Sequence, residues 1–200
     1  DFGGGTLDLA VVRFQQQRFE VLSTHGMALG GDRIDQLIFE QMLFPELGKG
    51  ERWVREVEGR SIDTLFPFEE FEARIINWPT TFLLNQNQTR AMVVDRIARG
   101  GPAAVKFQRL LDLITFNYSY NCFQAIRRAK IELSSREATS IDIPELNLNV
   151  PFTRSCLDRI LQPVLASTLE CVETALQRAG IRAGQVDAVI RTGGTSEIVA

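Results

Sequence analysis

The segment that most constrains the fold and chemistry of this chain is its first, Asp1-Phe2-Gly3-Gly4-Gly5-Thr6-Leu7-Asp8. Three consecutive glycines permit a turn with positive φ and leave no Cβ to obstruct a ligand. Their successive N–H groups can line a concavity that suits an anion such as phosphate. A carboxylate at Asp1 can hold Mg²⁺ through water or orient an attacking water, and Thr6 adds a hydroxyl. The segment predicts either a phosphate-binding turn or a plain hairpin turn, which uses the same residues.

The chain starts directly on this segment, without an initiator Met, a leader or a strand that brings the backbone up to Asp1. Nucleotide sites are usually built from several loops, and one glycine turn is a single such loop. We therefore expect the chain to be part of a larger protein and to carry half of a site.

Composition excludes several classes of function. The 200 residues are 44% apolar, which is enough for a core in one domain or two small subdomains. The net charge of −3 provides no basic field, so we expect no nucleic acid and no membrane surface as a partner. No apolar run reaches membrane-spanning length and no signal peptide is visible, which favours a cytoplasmic protein.

The cysteines and the single histidine favour structural roles. Cys122, Cys156 and Cys171 are odd in number and lack a Cys-x-x-Cys spacing, which predicts reduced core thiols rather than a disulfide framework or a metal site. His25 is the only histidine, which argues against a His-based nucleophile triad or a zinc centre. We expect His25 to be a partly buried structural residue at the end of a strand.

The first half of the chain begins with a predicted β-hairpin. Residues 5–13 and 18–25 alternate in polarity around a glutamine-rich turn and predict its two strands. A second glycine turn, Gly30-Gly31, follows, and Asp32 is the predicted N-cap of the next helix. Residues 46–100 contain scattered prolines and glycines and predict short helices in a variable insertion.

The second half is predicted to be mainly helical. Apolar residues three or four apart predict helix from about Ala103 to Ser135. Short strands are predicted at Ser140–Ile143 and Asn147–Val150. Near the end, Asp187–Arg191 predicts a buried strand that leads into a third glycine turn, Gly193-Gly194.

A long helix is predicted between the short strands and the last strand. Thr153 is its predicted cap, it extends to about Ala179, and Gly180 is the predicted stop. Pro163 falls inside this span and is expected to kink or break the helix. The alternation of strands, glycine turns and helices predicts α/β construction, in which ligands bind at the loops that follow strand ends.

The order of these pieces resembles the second lobe of the nucleotide-binding domain of the seventy-kilodalton heat-shock chaperones, the DnaK-like family. That family belongs to the actin-like ATPase superfamily. Pro151-Phe152-Thr153-Arg154, before the long helix, adds to the resemblance. The segments that carry it are Asp1-Phe2-Gly3-Gly4-Gly5-Thr6-Leu7-Asp8, Leu29-Gly30-Gly31-Asp32-Arg33-Ile34-Asp35, Ala129-Lys130-Ile131-Glu132-Leu133-Ser134-Ser135 and Val189-Ile190-Arg191-Thr192-Gly193-Gly194-Thr195-Ser196.

The resemblance implies an α/β fold with an actin-like, ribonuclease H-like core. Residues 1–35 and 151–200 would form the lobe II core, and residues 36–150 a more helical outer subdomain with a variable insertion at about 46–100. Residues 46–120 depart from the mainstream chaperones and look more like a divergent bacterial branch of DnaK-like proteins.

The resemblance also implies a site for ATP or ADP with Mg²⁺. Asp1 would hold the metal through water and act near the γ-phosphate, and Thr6 would join it as a catalytic and phosphate-binding residue. Other residues would bind phosphates, ribose and adenosine. These implied cofactor-binding residues are Gly3, Gly4, Gly5, Thr6, Gly30, Gly31, Lys130, Ser134, Gly193 and Gly194. Without the family, Lys130 is equally a solvated lysine, Ser134 a helix-end residue, and Gly193-Gly194 a close-packing turn.

Three positions depart from the family pattern at the adenosine. Arg127 stands where a Glu is common, and Ile131 and Glu197 stand where the family has arginines. Neither Ile131 nor Glu197 can reproduce the stacking of an arginine plane on a base. We therefore expect weak nucleotide affinity or altered base selectivity.

The resemblance implies an ATP-binding, ATP-hydrolysing domain of a chaperone. Its partners would be the first lobe of the same domain, which supplies another phosphate loop, a lysine and a glutamate, together with unfolded peptides or a nucleotide-exchange protein. Alone, the chain is expected to fold and to hydrolyse ATP poorly. The alternatives are a polymerising actin-like cytoskeletal ATPase, a small-molecule kinase, or a non-catalytic scaffold with a degenerate site.

Overall fold

The computed structural model describes residues 1–198, with the backbone alone for residues 55–57. The chain folds as two compact units. We call residues 1–37, 133–137 and 153–198 the glycine-loop unit, and residues 38–132 and 138–152 the helical unit. The strands and α-helices are β1 (Leu7–Gln15), β2 (Arg18–Met27), α1 (Gly31–Ile38), β3 (Arg52–Val57), β4 (Arg60–Leu65), α2 (Glu69–Ile76), α3 (Asn87–Ala98), α4 (Ala104–Phe116), α5 (Ser119–Glu132), β5 (Ala138–Ile143), β6 (Leu148–Thr153) and α6 (Arg154–Ala179).

The glycine-loop unit is built on the predicted hairpin, which is confirmed. Strands β1 and β2 pair antiparallel from Leu7 opposite Met27 to Gln15 opposite Arg18. The two turn residues, Gln16 and Gln17, have φ of 49° and 63°. A two-residue turn with positive φ at both positions has the twist that antiparallel strands require.

Helix α6 packs against both strands of this hairpin. Its buried side chains include Leu157, Ile160, Leu161 and Val164, whose spacing places them on one face of a helix. The predicted start and stop are confirmed, because Thr153 accepts a hydrogen bond from the Cys156 amide and Gly180 takes a left-handed conformation. The predicted break did not occur, since α6 runs through Pro163. The packed apolar face holds the helix together although proline removes one N–H donor.

The Thr153 cap can be tested by substitution. The Thr153 hydroxyl accepts from the Cys156 amide at 3.2 Å. Thr153→Ala is expected to lower the free energy of unfolding by about 1 kcal/mol, because one amide of the first turn loses its acceptor. Thr153→Ser keeps the acceptor and should unfold at the same urea concentration as the wild type. An equal loss in both variants would contradict the capping role.

The helical unit has an aromatic core, which includes rings from the segments before α2 and from α4. Phe66 lies 4.7 Å from Phe107 and 5.6 Å from Phe71 between ring centroids. Cys122 is fully buried, and burial raises the pKa of its thiol. Cys122 and Cys171 are buried, as the predicted core thiols require, whereas Cys156 is only half-buried. Within residues 1–198, none of the helices combines the length and the hydropathy that crossing a bilayer requires.

The predicted helix from Ala103 to Ser135 is two helices. Asn117 has a left-handed φ of 58° and ends α4, and the Tyr118 amide closes that end by donating to the Leu113 carbonyl. Asparagine tolerates this conformation better than most residues. Helix α5 then ends at Glu132, so Ser134 lies in the following turn and not on the helix.

The insertion contains a hairpin that the predicted short helices did not include. Strands β3 and β4 pair antiparallel from Arg52 opposite Leu65 to Val57 opposite Arg60. The turn between them, Glu58-Gly59, has positive φ at both residues. The Glu-Gly turn was the sequence signal for this hairpin, because a two-residue turn containing glycine favours one.

Two further predictions about local structure were wrong. Residues 187–191 form no strand, and Val189 and Ile190 are 80% and 90% exposed. A β-strand needs neighbours for its backbone groups, and within residues 1–198 this segment pairs with no strand. Asp32 is not an N-cap either, because α1 begins at Gly31 and places Asp32 in its first turn.

Candidate functional site

The candidate site is the glycine loop, residues Gly3–Thr6, in the glycine-loop unit. The start of α1 holds this loop through two backbone hydrogen bonds. The Gly31 amide donates to the Gly3 carbonyl oxygen at 3.0 Å, and the Asp32 amide donates to the Gly4 carbonyl oxygen at 2.7 Å. The loop therefore lies against the N-terminus of α1.

Gly30 makes this approach possible. A Cβ on Gly30 would lie 2.6 Å from the Gly5 nitrogen and still closer to the carbonyl group of Gly4. Distances this short do not occur between non-bonded backbone atoms and a real Cβ, so any side chain at Gly30 must displace the loop. The second glycine turn therefore needs glycine at Gly30 for a steric reason, because it lies in contact with the glycine loop.

The turn at Gly193 and Gly194 holds the other side of the loop. Gly193 has a φ of 89°, and a Cβ there would lie 2.6 Å from Asp1 Oδ1. The Thr195 amide donates to the Phe2 carbonyl oxygen at 3.1 Å. The Thr195 hydroxyl donates to the Gly3 carbonyl oxygen at 2.8 Å. The three glycine turns predicted from the sequence therefore meet in one place.

These contacts use the carbonyl groups of the loop and leave most of its amides free. The Gly3 amide donates to the Thr6 carbonyl oxygen at 2.9 Å. In the described part of the chain the amides of Gly4, Gly5 and Thr6 have no acceptor, and all three residues are exposed. Three consecutive free donors beside a helix N-terminus form a site that suits an anion.

The packing around the loop leaves room for a side chain at Gly4 and Gly5. None of Gly3, Gly4 and Gly5 takes the positive φ that glycine permits. A Cβ on Gly5 would meet nothing within 4 Å, and a Cβ on Gly4 would come no closer than 3.8 Å to Asp32. Alanine would fit both positions in the absence of a ligand. The space that a Cβ would fill lies beside the free amides, where a bound phosphate would approach the backbone.

Two carboxylates flank the loop. Asp1 is exposed, and its Oδ1 atom lies close to Gly193. Asp8 accepts a hydrogen bond from the Thr6 hydroxyl at 2.8 Å. Because that hydroxyl gives its proton to Asp8, Thr6 offers a ligand its oxygen lone pairs and its amide N–H. Among the described residues no three His, Cys, Asp or Glu side chains converge to hold a metal ion.

The two predicted adenosine residues lie in different units. Lys130 is half-buried on α5 in the helical unit, and Ser134 is exposed in the turn that belongs to the glycine-loop unit. The predicted helix to Ser135 would have placed them one turn apart on the same face, but α5 ends at Glu132. Their role in binding adenosine remains a prediction.

The structure adds two residues that the sequence did not single out, Asp8 and Thr195. Asp8 follows Thr6 by two residues at the start of a predicted strand, so the period of two could have shown that both side chains lie on one face. Thr195 left no comparable signal, because its partner Gly3 is 192 residues away in the chain.

The hairpin, the helix α6 packed on it and the held glycine loop form a mixed α/β unit with three free backbone amides in the loop. The sequence profile of the Hsp70 protein family matches residues 1–80 and 116–200, which is most of the chain, and the chain belongs to this family. Membership implies the actin-like ATPase fold and supports a chaperone ATPase domain. Domains of this family generally bind ATP or ADP.

Proposed function

We propose that this chain binds the phosphates of ATP and ADP with Mg²⁺ and acts in the ATP-hydrolysing domain of a DnaK-like chaperone. The observation that carries the proposal is the set of three free amides at Gly4, Gly5 and Thr6. Next to these amides, a Cβ on Gly5 would meet no atom of the described residues within 4 Å, so the space is open to a ligand. Family membership supports the same ligand.

The chemistry asked of these residues is positioning and charge neutralisation. Phosphoryl transfer needs little covalent help from a protein, and fixed donors stabilise charge that develops on phosphate oxygens. The amides of Gly4, Gly5 and Thr6 would bind those oxygens, and the carboxylate of Asp1 would orient the attacking water. Mg²⁺ would neutralise phosphate charge, held through water by Asp1 and by the phosphates, since it commonly binds with few protein ligands.

The contacts that the family makes to the adenine base are reduced in this chain. Ile131 is 69% exposed and Glu197 is exposed, so neither provides a planar cation for stacking on a base. We therefore expect the phosphates to supply most of the affinity and the base to be poorly discriminated. The first lobe, unfolded peptides and a nucleotide-exchange protein are the proposed partners.

The experiment that tests this function is calorimetric titration of the full-length protein with MgADP and MgATP. We expect a Kd in the micromolar range, which corresponds to a standard free energy of binding of about −8 kcal/mol. Gly5→Ala should weaken binding by about tenfold or more while leaving the unfolding temperature unchanged or slightly higher, because its Cβ fits the fold but occupies the phosphate space. Gly184→Ala is the matched control, since Gly184 is exposed and a Cβ there would also meet nothing within 4 Å.

A second candidate function is a non-catalytic scaffold whose nucleotide site has degenerated. Ile131 and Glu197 favour it, because they remove the contacts to the base and leave the phosphate loop unchanged. A wild-type protein that binds neither nucleotide, with Gly5→Ala indistinguishable from it, would support the scaffold and refute the ATPase. If the wild type binds nucleotide and Gly5→Ala does not, the glycine loop still binds its ligand, and the degenerate scaffold is excluded.

A further inference from the structure

The glycine loop receives hydrogen bonds from two separate parts of the chain. One is the backbone at the start of α1, where Gly31 and Asp32 donate to the Gly3 and Gly4 carbonyl oxygens. The other is Thr195, which follows the Gly193–Gly194 turn: its amide donates to the Phe2 carbonyl oxygen just before the loop, and its hydroxyl donates to the Gly3 carbonyl oxygen in the loop. The Thr195 hydroxyl is thus a side-chain donor to a backbone carbonyl oxygen of this loop.

The two donors converge on the same atom. The Gly3 carbonyl oxygen accepts from the Gly31 amide at 3.0 Å and from the Thr195 hydroxyl at 2.8 Å. Both lone pairs of that oxygen are therefore used, which fixes the peptide plane between Gly3 and Gly4. The next amide in the chain, that of Gly4, belongs to this plane and is the first of the three free donors.

We propose that Thr195 is a positioning residue, whose hydroxyl orients the Gly3–Gly4 peptide so that the free amides point together toward a bound phosphate. This inference rests on the proposed function and names a residue that acts on the phosphate through the loop. A glycine-rich segment has many accessible backbone conformations, so orienting it before binding removes an entropic cost from the binding step.

The physical alternative is that Thr195 only stabilises the fold. Thr168 provides a matched comparison, because its hydroxyl donates to the Val164 carbonyl oxygen at 2.9 Å and both hydrogen bonds are part-buried. Both residues belong to the glycine-loop unit. Replacing either threonine by valine removes one hydroxyl of the same kind and keeps the side-chain shape.

The test is amide hydrogen exchange, together with titration of MgADP and inorganic pyrophosphate, on the full-length protein. In Thr195→Val we expect the Gly31 and Asp32 amides to exchange about tenfold faster, since the loop that accepts their hydrogen bonds is no longer held. The Kd for MgADP and for pyrophosphate should rise about tenfold as well. Thr195→Ser should restore both properties, and Thr168→Val should change neither.

Unchanged exchange at Gly31 and Asp32 in Thr195→Val would overturn the inference, and so would unchanged affinity for both ligands. An equal effect of Thr168→Val would overturn it too, because that result indicates general destabilisation. A wild-type protein that binds neither ligand refutes the proposed function, and the exchange rates then decide by themselves whether Thr195 holds the loop.

Discussion

Gly30→Ala is expected to weaken MgADP binding by more than about tenfold and to lower the free energy of unfolding by about 1–3 kcal/mol. Gly30 does not take positive φ, so alanine brings no backbone strain of that kind. Its effect is steric, because the new Cβ would lie 2.6 Å from the Gly5 nitrogen. The glycine loop must then move away from α1, which breaks the hydrogen bonds from Gly31 and Asp32 and misplaces the free amides.

The measurements are urea unfolding and calorimetric titration, with Gly184→Ala as the comparison. Gly184 also has ordinary φ and a Cβ there would meet open space, so this variant should keep both properties. Gly30→Ala tests the role of glycine in close backbone packing, and Gly5→Ala tests its role in leaving room for the phosphate. We expect the first to change stability and affinity and the second to change affinity alone. Wild-type values for Gly30→Ala would show that the loop accommodates the extra carbon.

Asp1→Asn is expected to lower the rate of ATP turnover by about a hundredfold while leaving the affinity for MgADP nearly unchanged. The carboxylate lies beside the loop, where it would orient the attacking water and hold Mg²⁺ through water. Asparagine keeps the size of the side chain but cannot accept a proton from water. The interactions with ADP involve mainly the amides of Gly4, Gly5 and Thr6, which this substitution leaves in place.

Single-turnover hydrolysis by the full-length protein measures this effect. Asp187→Asn is a suitable control, because Asp187 is an exposed aspartate of the same unit. Within the described residues, Asp187 forms no hydrogen bond or ion pair with the glycine loop. Equal turnover in Asp1→Asn and the wild type would remove Asp1 from the mechanism. A large loss of MgADP affinity would instead assign Asp1 a role in binding.

The sequence was a reliable guide where the structure is determined by residues close together in the chain. The hairpin of β1 and β2 follows from alternating polarity on both sides of a short turn. Helix α6 follows from a cap at Thr153, an apolar face and a stop at Gly180. These signals act over one or two turns of backbone, and no distant residue changes them.

The predictions failed where the outcome depends on distant neighbours. Residues 187–191 have the composition of a strand, but a strand forms only when another strand pairs with it, and no strand of the described residues does so. The position of Ser134 depended on a helix end that the apolar pattern located only approximately. The glycine triplet permits positive φ but does not take it, because a glycine is compatible with many conformations and the sequence does not choose among them.

Residue types and their order were enough to recognise the candidate loop, the two other glycine turns and the carboxylate at Asp1. The folded chain was needed to show that these turns meet, and that Thr195 and the start of α1 donate to the loop carbonyl oxygens while three amides stay free. Hydrogen-bond partners so distant in the chain leave no local pattern. Their pairing is decided by the packing that brings them together, and the sequence specifies that packing only through the whole fold.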